Sequence, residues 1–306
     1  MTTQAQPITR SRLFLPSGFS ISLAGKYTLL ILVALIFVLP ILFMIFSSLK
    51  PEEQLLRDTA SFRAFLPVGN LSLQNYEDAF RRVPMTTFVG NSILVTATTV
   101  ALGLVVNSMA AFSFALLRWR AKNTIFSVIL ATFIVPFETF AIPLLLIVNT
   151  LPWLHIGLDG IYITQGWLNS HHVQIIPFIA SAFQIFLFYS FFKDLPQEIV
   201  EAARIDGANS FQIYWRIIIP ISGPVIATAT ILRILDMWNQ FLWPLIVVQQ
   251  EEYRPVMVGL QYFFQLDIAW GEIMAYLSTL TIPVLIVYLL LQRTFIESIA
   301  STGVKG

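Results

Sequence analysis

Long apolar stretches, separated by short polar segments, dominate the pattern along this chain. No charged residue occurs in the stretches 27–49, 83–117, 173–192 and 273–292. Each stretch reaches the ~20 residues that an α-helix needs to cross ~30 Å of hydrocarbon. The stretches lack the strict alternation of apolar and polar residues that is typical of membrane β-barrels. The pattern therefore predicts helices that span a membrane.

Two further stretches are apolar apart from one or two charges. Glu138 is the charge in 123–149, and Arg233 with Asp236 are those in 222–248. We therefore predict an all-α polytopic membrane protein with six transmembrane helices. They lie near 27–47, 86–116, 123–149, 172–192, 222–248 and 273–292. Pro136 and Pro143 predict a kinked or broken third helix, because proline cannot donate a backbone hydrogen bond.

Composition agrees with this interpretation and excludes several other classes. Charged residues make up 11% of the 306 residues, against about 25% in soluble domains. At 57% apolar, the chain is also too hydrophobic to be disordered. A formal net charge of +1 argues against nucleic-acid binding as the main activity. Cysteine is absent, which excludes disulfides, thiol catalysis and cysteine–zinc sites.

The distribution of Lys and Arg predicts the orientation. Eleven lie in the two tails, the second-to-third loop and the fourth-to-fifth loop, whereas six lie on the other side. Loop 150–171 has no Lys or Arg, and loop 249–272 has only Arg254. The positive-inside rule places both termini in the cytoplasm. We expect cytoplasmic tails at 1–26 and 294–306 around a membrane domain at 27–293, with the first apolar run retained as a signal anchor.

The cytoplasmic loop 193–221 has the pattern of a helical hairpin. Asp194 begins a capping-box pattern, and Pro196 suits the first turn of a helix. Gly207 suits a left-handed position at the helix end. Ser210 is a candidate cap for a second short helix that ends before Pro220.

This hairpin carries small side chains and carboxylates. Small residues, which permit close approach by another protein, recur at Ala202, Ala203 and Ala208, beside Ile199. Carboxylates at Glu201 and Asp206 can pair with a partner's Arg or Lys. An ordinary surface connector has the same composition, so the pattern by itself leaves both interpretations open.

Several motifs in order along the chain resemble one family. Glu201-Ala202-Ala203, Gly207 four residues later and Ile219-Pro220 resemble the EAA motif of binding-protein-dependent ABC importer permeases. Together with Leu195-Pro-Gln-Glu, this segment is similar to the carbohydrate-uptake branch, in particular to the smaller permease of the maltose-type importers. Further matches are Ser48-Leu-Lys-Pro, Asn75-Tyr, Asn91-Ser, Pro136, Pro143, Trp238-Asn-Gln-Phe-Leu-Trp-Pro-Leu245, Trp270-Gly271 and Val304-Lys-Gly306.

The resemblance implies the type I ABC importer fold and a transport role without chemistry on the sugar. The hairpin would be a coupling helix seated on an ATPase subunit. Its coupling residues would be Glu201, Ala202, Ala203, Asp206, Gly207 and Pro220, with Val304–Gly306 as a second contact. The partners would be a second homologous permease, two ATPases that bind ATP and Mg, and an extracytoplasmic sugar-binding protein. This chain has no Walker-type loop, so we expect no ATP site of its own.

Polar residues inside the predicted spans are the candidates for the sugar pathway. Charge within a membrane is costly unless it faces a partner or water. Arg233 and Asp236 are three residues apart and can pair on one helix face. The proposed pathway residues are Glu138, Arg233, Asp236, Trp238, Asn239 and Gln240, with Trp243 as a further stacking surface. The alternative is that these residues have structural roles. Arg233 and Asp236 would neutralise each other at the partner permease, Asn239 would hold the backbone near Pro244, and the tryptophans would lie at the membrane interface.

The extracytoplasmic loops are expected to meet the binding protein. In loop 249–272 the resemblance points to Gly259, Gln261, Tyr262 and Gln265, and the longer loop 50–82 would contact the same protein. A cover on the membrane surface is the alternative for loop 249–272, because Phe263, Phe264 and Trp270 are apolar.

Two other classes of protein compete with the importer interpretation. A membrane-embedded enzyme would use His155, His171, His172 and Asp159, but no His-Glu-x-x-His pattern occurs. An independent carrier or channel would work without ATPases, and a permease for a non-sugar solute is a third possibility.

We expect a protein of the bacterial cytoplasmic membrane whose cargo is an oligosaccharide, a disaccharide or a glycosylated polyol. The sequence does not choose among these.

Overall fold

A computed structural model describes residues 23–157, 160–265 and 268–303, which are predominantly helical. In chain order the α-helices and strands are α1 (Leu23–Ser48), α2 (Glu52–Asp58), α3 (Gln74–Arg82), α4 (Met85–Leu116), α5 (Lys122–Phe133), α6 (Phe137–Thr150), β1 (Pro152–Gly157), β2 (Gly160–Gln165), α7 (His172–Ile175), α8 (Ala182–Lys193), α9 (Gln197–Ile205), α10 (Ser210–Ile213), α11 (Ile219–Ile221), α12 (Gly223–Trp238), α13 (Leu242–Val247) and α14 (Trp270–Gly303). The 3₁₀ turns are Phe62–Phe65, Ile176–Phe178, Glu251–Tyr253 and Val256–Phe263. The predicted contact at Val304–Gly306 lies outside the described residues.

Three stretches of helix are each long and apolar enough to cross a membrane: Gly25–Ser48, Met85–Leu116 and Trp270–Gln292. Three further candidates are pairs of helices joined at a bend. The pair α5 and α6 is bent by 103°, the segment from α7 to α8 by 41°, and the segment from α10 to α12 by 80°. The described residues therefore contain three to six candidate spans, depending on whether each bent pair crosses as a unit.

The predicted break in the third apolar stretch is confirmed. Helix α5 ends at Phe133 and α6 begins at Phe137, after an extended Pro136. Proline has no N–H to continue the hydrogen-bond ladder and clashes with the preceding turn, so the helix stops there. Pro143, in contrast, lies inside α6 without ending it.

The predicted continuous helix over 222–248 is wrong. Helix α12 ends at Trp238 and α13 begins only at Leu242. Pro244 cannot donate to the carbonyl of Gln240, which weakens a continuous helix at this point. The Asn239 amide instead donates to the Leu235 carbonyl at 2.7 Å, a local bond that competes with further helical turns.

Loop 150–171 contains a β-hairpin that the sequence analysis did not predict. Strand β1 pairs antiparallel with β2, with Leu154 opposite Ile163. The signal was present as alternation: β-branched Ile161 and Ile163 flank Tyr162, and Gly160 and Gly166 adopt positive φ at the ends of the strand. Alternating β-branched and aromatic residues between glycines are typical of a hairpin strand.

Residues that are far apart in sequence meet at one junction outside the predicted spans. The Asn75 amide donates to the carbonyls of Ser48 and Lys50, at 2.9 and 2.8 Å. The Gly271 N–H donates to the Glu52 carboxylate at 2.9 Å, and a Cβ on Gly271 would meet the Asn75 side chain at 2.6 Å. The family-like motifs at 48–51, 75–76 and 270–271 are therefore explained by packing that joins the ends of α1 and α14.

The same junction contains a buried ion pair. The Lys50 ammonium, which is 1% exposed, lies 3.2 Å from the Asp58 carboxylate and donates to the Arg63 carbonyl at 2.6 Å. Burial raises the pKa of Asp58, but the hydrogen bond and charge of Lys50, aided by Gln54 and Arg63, outweigh it and lower the pKa below its ordinary value. The carboxylate is therefore stabilised in its charged form.

Acid should weaken this junction. A carboxyl whose pKa is lower in the folded than in the unfolded state adds stability above its unfolded pKa, and that stability is lost as the pH falls through the folded pKa. We expect Asp58→Asn to lower the thermal midpoint at neutral pH and to flatten its decline between neutral pH and about pH 3. Glu77→Gln, which removes an exposed carboxylate on α3, is the control. Equal acid sensitivity in wild type and Asp58→Asn would contradict the assignment.

Candidate functional site

The loop 193–221 folds as the predicted helical hairpin, although two of its predicted caps are wrong. The predicted cap Asp194 instead ends α8, and Ser210, the predicted cap of the second helix, is the first residue of that helix. Pro196 directly precedes α9. The second helix is capped by Asn209, whose amide oxygen accepts from the Gln212 N–H at 2.9 Å, while Gln212 accepts from the Asn209 N–H at 2.8 Å. Asn209 makes the better cap because its side chain reaches the third residue of the helix.

The predicted left-handed glycine is confirmed. Gly207 has φ of +84°, and the Ala208 N–H after it donates back to the Ala203 carbonyl at 2.9 Å. A residue with a side chain is strained at this φ. Gly207 therefore fixes the angle between α9 and α10.

The second helix continues beyond Pro220 instead of ending before it. A π-helical segment, Tyr214–Ile218, connects α10 to α11, and Pro220 lies in the first turn of α11. Because Pro220 cannot donate to the carbonyl of Arg216, the regular ladder is disrupted there and a π segment accommodates the mismatch. Pro220 is thus a structural residue of the turn toward α12.

The hairpin divides into an inward and an outward face. Val200 and Ala203 are buried against Ile213 and Tyr214, so Ala203 cannot form part of a free contact surface, contrary to prediction. Glu201, Ala202 and Asp206 are exposed. Large apolar side chains that the sequence analysis did not include are also exposed, namely Ile205 at 86% and Phe211 at 63%.

The predicted ion pair in α12 is confirmed. Arg233 Nη1 donates to Asp236 Oδ2 at 2.6 Å, and Nη2 donates to the Phe178 carbonyl, at the break before α8. The guanidinium side is buried while the Asp236 side chain is 58% exposed. The pair therefore also ties α12 to the bend in the fourth apolar stretch.

A cavity of about 930 Å³ brings together most of the predicted pathway residues. Glu138, from the first turn of α6, and Arg233, Asp236, Asn239 and Gln240 all line it. Within the described residues, Arg233 Nε and Gln240 Oε1 have no hydrogen-bond partner. Buried polar atoms without partners are unusual, so the wall has capacity to bind a polar molecule.

The tryptophan predictions are only partly right. Trp238 is buried in a different cluster, with Ala79, Val83 and Phe88, so it does not line the cavity. Trp243 lies in the cavity wall, but it is fully buried and donates to the Val173 carbonyl at 2.9 Å. The aromatic lining comes instead from phenylalanines that the sequence analysis did not single out: exposed Phe133, Phe140 and Phe241, and half-buried Phe183.

Loop 249–265 is held against the helices by polar side chains. The Asn91 amide donates to the carbonyls of Glu252 and Arg254, at 2.7 and 3.0 Å, and Ser92 Oγ accepts from the Val256 N–H at 2.8 Å. The Asn91-Ser motif is therefore explained by anchoring of this loop. His171 also bonds Asn91, at 2.9 Å.

The four predicted contact residues of this loop have different roles. Gly259 is buried, and a Cβ there would meet Tyr276 at 2.1 Å, so it serves packing. Tyr262 accepts from Arg254 at 2.8 Å and donates to Glu251; burial and Glu251 raise its pKa. Gln261 and Gln265 line an open cavity of about 480 Å³.

The histidines of the enzyme alternative are occupied in packing where they are described. His171 bonds Asn91, and His172 stacks on Trp153 with ring centroids 3.8 Å apart. Over 23–157, 160–265 and 268–303 no group of three His, Asp or Glu residues could hold a metal ion. Asp159 lies outside the described residues.

Sequence reasoning missed a buried amide network behind the cavity. Asn107, fully buried in α4, donates to the carbonyls of Gly103 and Ile179 and to Gln184 Oε1, and accepts from the Ser181 N–H. Gln184 in turn donates to the Ala229 carbonyl at 3.1 Å. An isolated Asn within a charge-free run was the available signal.

Comparison with solved structures identifies the fold. The chain resembles the crystal structure of a bacterial ABC transporter involved in the import of the acidic polysaccharide alginate, with a TM-score of 0.72 and 24% identity over 89% of this chain and 95% of that one. The described residues thus have the fold of a type I ABC importer permease.

Curated relatives cover nearly the whole chain. It is 30% identical to the arabinooligosaccharides transport system permease protein AraQ of Halalkalibacterium halodurans, over 90% of this chain and 93% of that protein. Identity to the lactose transport system permease protein LacG of Rhizobium radiobacter is 29%, over 89% and 93%. Residues 103–300 match the model of the family described as binding-protein-dependent transport system inner membrane component. The chain belongs to this family of ABC importer permeases.

Proposed function

We propose that this chain is the permease subunit that passes a sugar across the bacterial cytoplasmic membrane in an ATP-driven importer. The observation that carries the proposal is the cavity of about 930 Å³ lined by Glu138, Arg233, Asp236 and Gln240. Carboxylate, guanidinium and amide groups match the hydroxyls of a sugar, and the phenylalanines offer faces for its C–H surfaces. The comparisons support the sugar class, because the curated relatives are named as permeases for sugars.

The hairpin around Gly207 is the proposed coupling element. Its outward face combines Glu201, Ala202 and Asp206 with exposed Ile205 and Phe211. Exposed apolar side chains beside acidic groups suit docking into a cleft of another protein. The partners in this proposal are two ATPases that bind ATP and Mg, a second homologous permease and an extracytoplasmic sugar-binding protein.

Orientation and span number form part of the same proposal. Each bent helix pair crosses once, which gives six spans with both termini in the cytoplasm. The membrane domain is then 27–293, the coupling loop is 193–221, and the segments 1–26 and 294–306 are cytoplasmic. Gln261 and Gln265 then face the binding protein.

The cargo is an oligosaccharide, a disaccharide or a glycosylated polyol. The printed names of the relatives include arabinooligosaccharides, lactose and, for a 27% identical permease of Agrobacterium fabrum, sulfoquinovosyl glycerol. Uptake of a labelled panel of these classes into vesicles, with each partner omitted in turn, tests the proposal. Uptake that persists without the ATPases would favour an independent carrier and contradict it.

Removing a polar group from the cavity should weaken transport. Glu138→Leu and Gln240→Leu each delete a group that can form a hydrogen bond to a sugar hydroxyl. Loss of one such bond costs about 1.4 kcal/mol, so the half-saturating sugar concentration should rise roughly tenfold. Thr150→Val, at the other end of α6 and outside the cavity, should transport normally. Unchanged half-saturation in both cavity variants would remove the cavity from the pathway.

A further inference from the structure

One face of the hairpin of β1 and β2 carries aliphatic residues toward its tip, with Gln165 opposite Pro152 at its open end. Leu154 lies opposite Ile163, and Ile156 lies opposite Ile161, and residues paired in this way share a face of the sheet. Leu154, Ile161 and Ile163 are 49%, 73% and 69% exposed. Exposed aliphatic surface of this kind in one patch marks a contact with another apolar phase or molecule.

The root of the hairpin and its other face are fixed to the protein. The Trp153 ring stacks on His172 at 3.8 Å with an angle of 6° between the planes. The Trp167 indole N–H donates to the Pro152 carbonyl at 3.1 Å, and the Gly166 N–H donates to the Leu151 carbonyl at 3.0 Å. Because the aromatic side is held in this way, the aliphatic face cannot turn inward.

The aliphatic face is continuous along the chain with the apolar surface of α6. Ile142, Leu146 and Ile147 on α6 are 67%, 65% and 54% exposed. Helix α6 ends at Thr150, and β1 begins two residues later. In the proposed six-span arrangement α6 is the end of a span, so the hairpin starts at the depth of the membrane interface.

Composition favours lipid over a second protein as the occupant. Loop 150–171 has no Lys or Arg, so this face lacks the cationic part of the polar rim that usually surrounds a protein–protein contact. Trp153, Trp167 and Tyr162 are of the residue types enriched at the membrane interface. The outer edges of a two-stranded hairpin need water for their backbone groups, which excludes the hydrocarbon centre and favours the interfacial layer.

We propose that the aliphatic face of this hairpin lies on the bilayer, with Leu154, Ile161 and Ile163 against lipid acyl chains at the end of α6. This contact holds the root of the hairpin, and with it α6 and Glu138, at a fixed depth. Assignment to the outer leaflet rests on the proposed orientation of the chain, whereas lipid contact rests only on the proposed span that includes α6.

Site-directed spin labelling tests this proposal directly, because the chain contains no cysteine. Nitroxides are attached to Ile161→Cys and Ile163→Cys, with Tyr162→Cys as the matched control on the opposite face. The assembled importer is reconstituted in phospholipid nanodiscs. We expect collision rates with apolar oxygen to be severalfold higher at 161 and 163 than at 162, and rates with polar nickel chelate severalfold lower. Uptake by each labelled importer reports folding.

Two outcomes would overturn the proposal. Nickel access as high at 161 and 163 as at 162 would show that the hairpin projects into water, and exclusion of both reagents at 161 and 163 would show that another protein covers the face. Fluorescence of a bimane on Ile161→Cys provides a second measurement. Lipids that carry a quencher near the carbonyl end of the acyl chain should quench it, and absence of quenching would contradict lipid contact. These signals do not depend on which solute is transported or on whether the hairpin 193–221 couples to an ATPase. Failure of the proposed transport function can therefore be told apart from failure of the lipid contact.

Discussion

Replacing Gly207 with valine in the assembled importer is expected to reduce ATP-driven uptake by at least an order of magnitude while the protein still inserts and assembles. Gly207 has φ of +84°, where a residue with a Cβ costs about 1–2 kcal/mol, and a β-branched side chain is especially disfavoured. Relief of this strain rotates α10 relative to α9 and misaligns the outward face on the ATPase. Since 1.4 kcal/mol is tenfold in an equilibrium constant, the native angle between α9 and α10 is populated about tenfold less, and apparent docking on the ATPase weakens by the same factor.

The matched control is another glycine in ordinary helical conformation. Gly223 begins α12, and an added Cβ there would meet nothing within 4 Å, so Gly223→Ala should retain uptake. Charge reversal provides a second pair: Glu201→Arg on the outward face should reduce stimulation of the ATPases by the loaded binding protein, whereas Glu198→Arg, in the first turn of α9, should have little effect. Full uptake in an importer carrying both Gly207→Val and Glu201→Arg would refute the coupling role of this hairpin.

The sequence predicted positions along helices better than it predicted which side each helix turns to the core. Arg233 and Asp236 pair as their three-residue spacing indicates, because that spacing fixes their relative angle on any helix. Trp238, two residues beyond Asp236, points into the cluster with Phe88. The choice of face depends on the packing of α12 against α4 and α14, which no local pattern contains.

Two wrong predictions in loop 193–221 have local causes. Val200 and Ala203 are three residues apart and both apolar, the spacing of a helix face turned inward, and both are buried. Asn209 with Gln212 is a capping box as plain as the one expected at Asp194, and its reciprocal bonds at 2.9 and 2.8 Å determine where α10 begins.

The break between α7 and α8 was not predictable from its own segment. Ser181 caps α8 with its side chain, but the carbonyl of Ile179 and the N–H of Ser181 are satisfied by Asn107, more than 70 residues earlier. Without that amide, a bend inside the membrane would leave backbone groups unpaired at a cost of several kcal/mol. The bend therefore depends on a tertiary contact.

Replacing Asn107 with leucine is accordingly expected to lower the free energy of unfolding by about 2–4 kcal/mol and to reduce assembly of the importer. Single hydrogen bonds in membrane proteins contribute little, on average about 0.6 kcal/mol. Asn107 differs because its loss leaves the Ile179 carbonyl, the Ser181 N–H and Gln184 Oε1 without their partner at once. The measurement is unfolding in mixed micelles with increasing denaturing detergent, followed by circular dichroism.

Thr99 on the same helix provides the control. It is fully buried, and its hydroxyl has no hydrogen-bond partner within the described residues, so Thr99→Val should be neutral or slightly stabilising. Asn107→Asp keeps the size of the side chain and an oxygen for the Ser181 N–H, but it loses the two amide N–H donors that serve Gly103, Ile179 and Gln184. It should therefore be destabilised even though its size is unchanged. If Asn107→Asp were as stable as wild type while Asn107→Leu was not, the loss would come from side-chain size, and the amide would not be what holds the bend between α7 and α8.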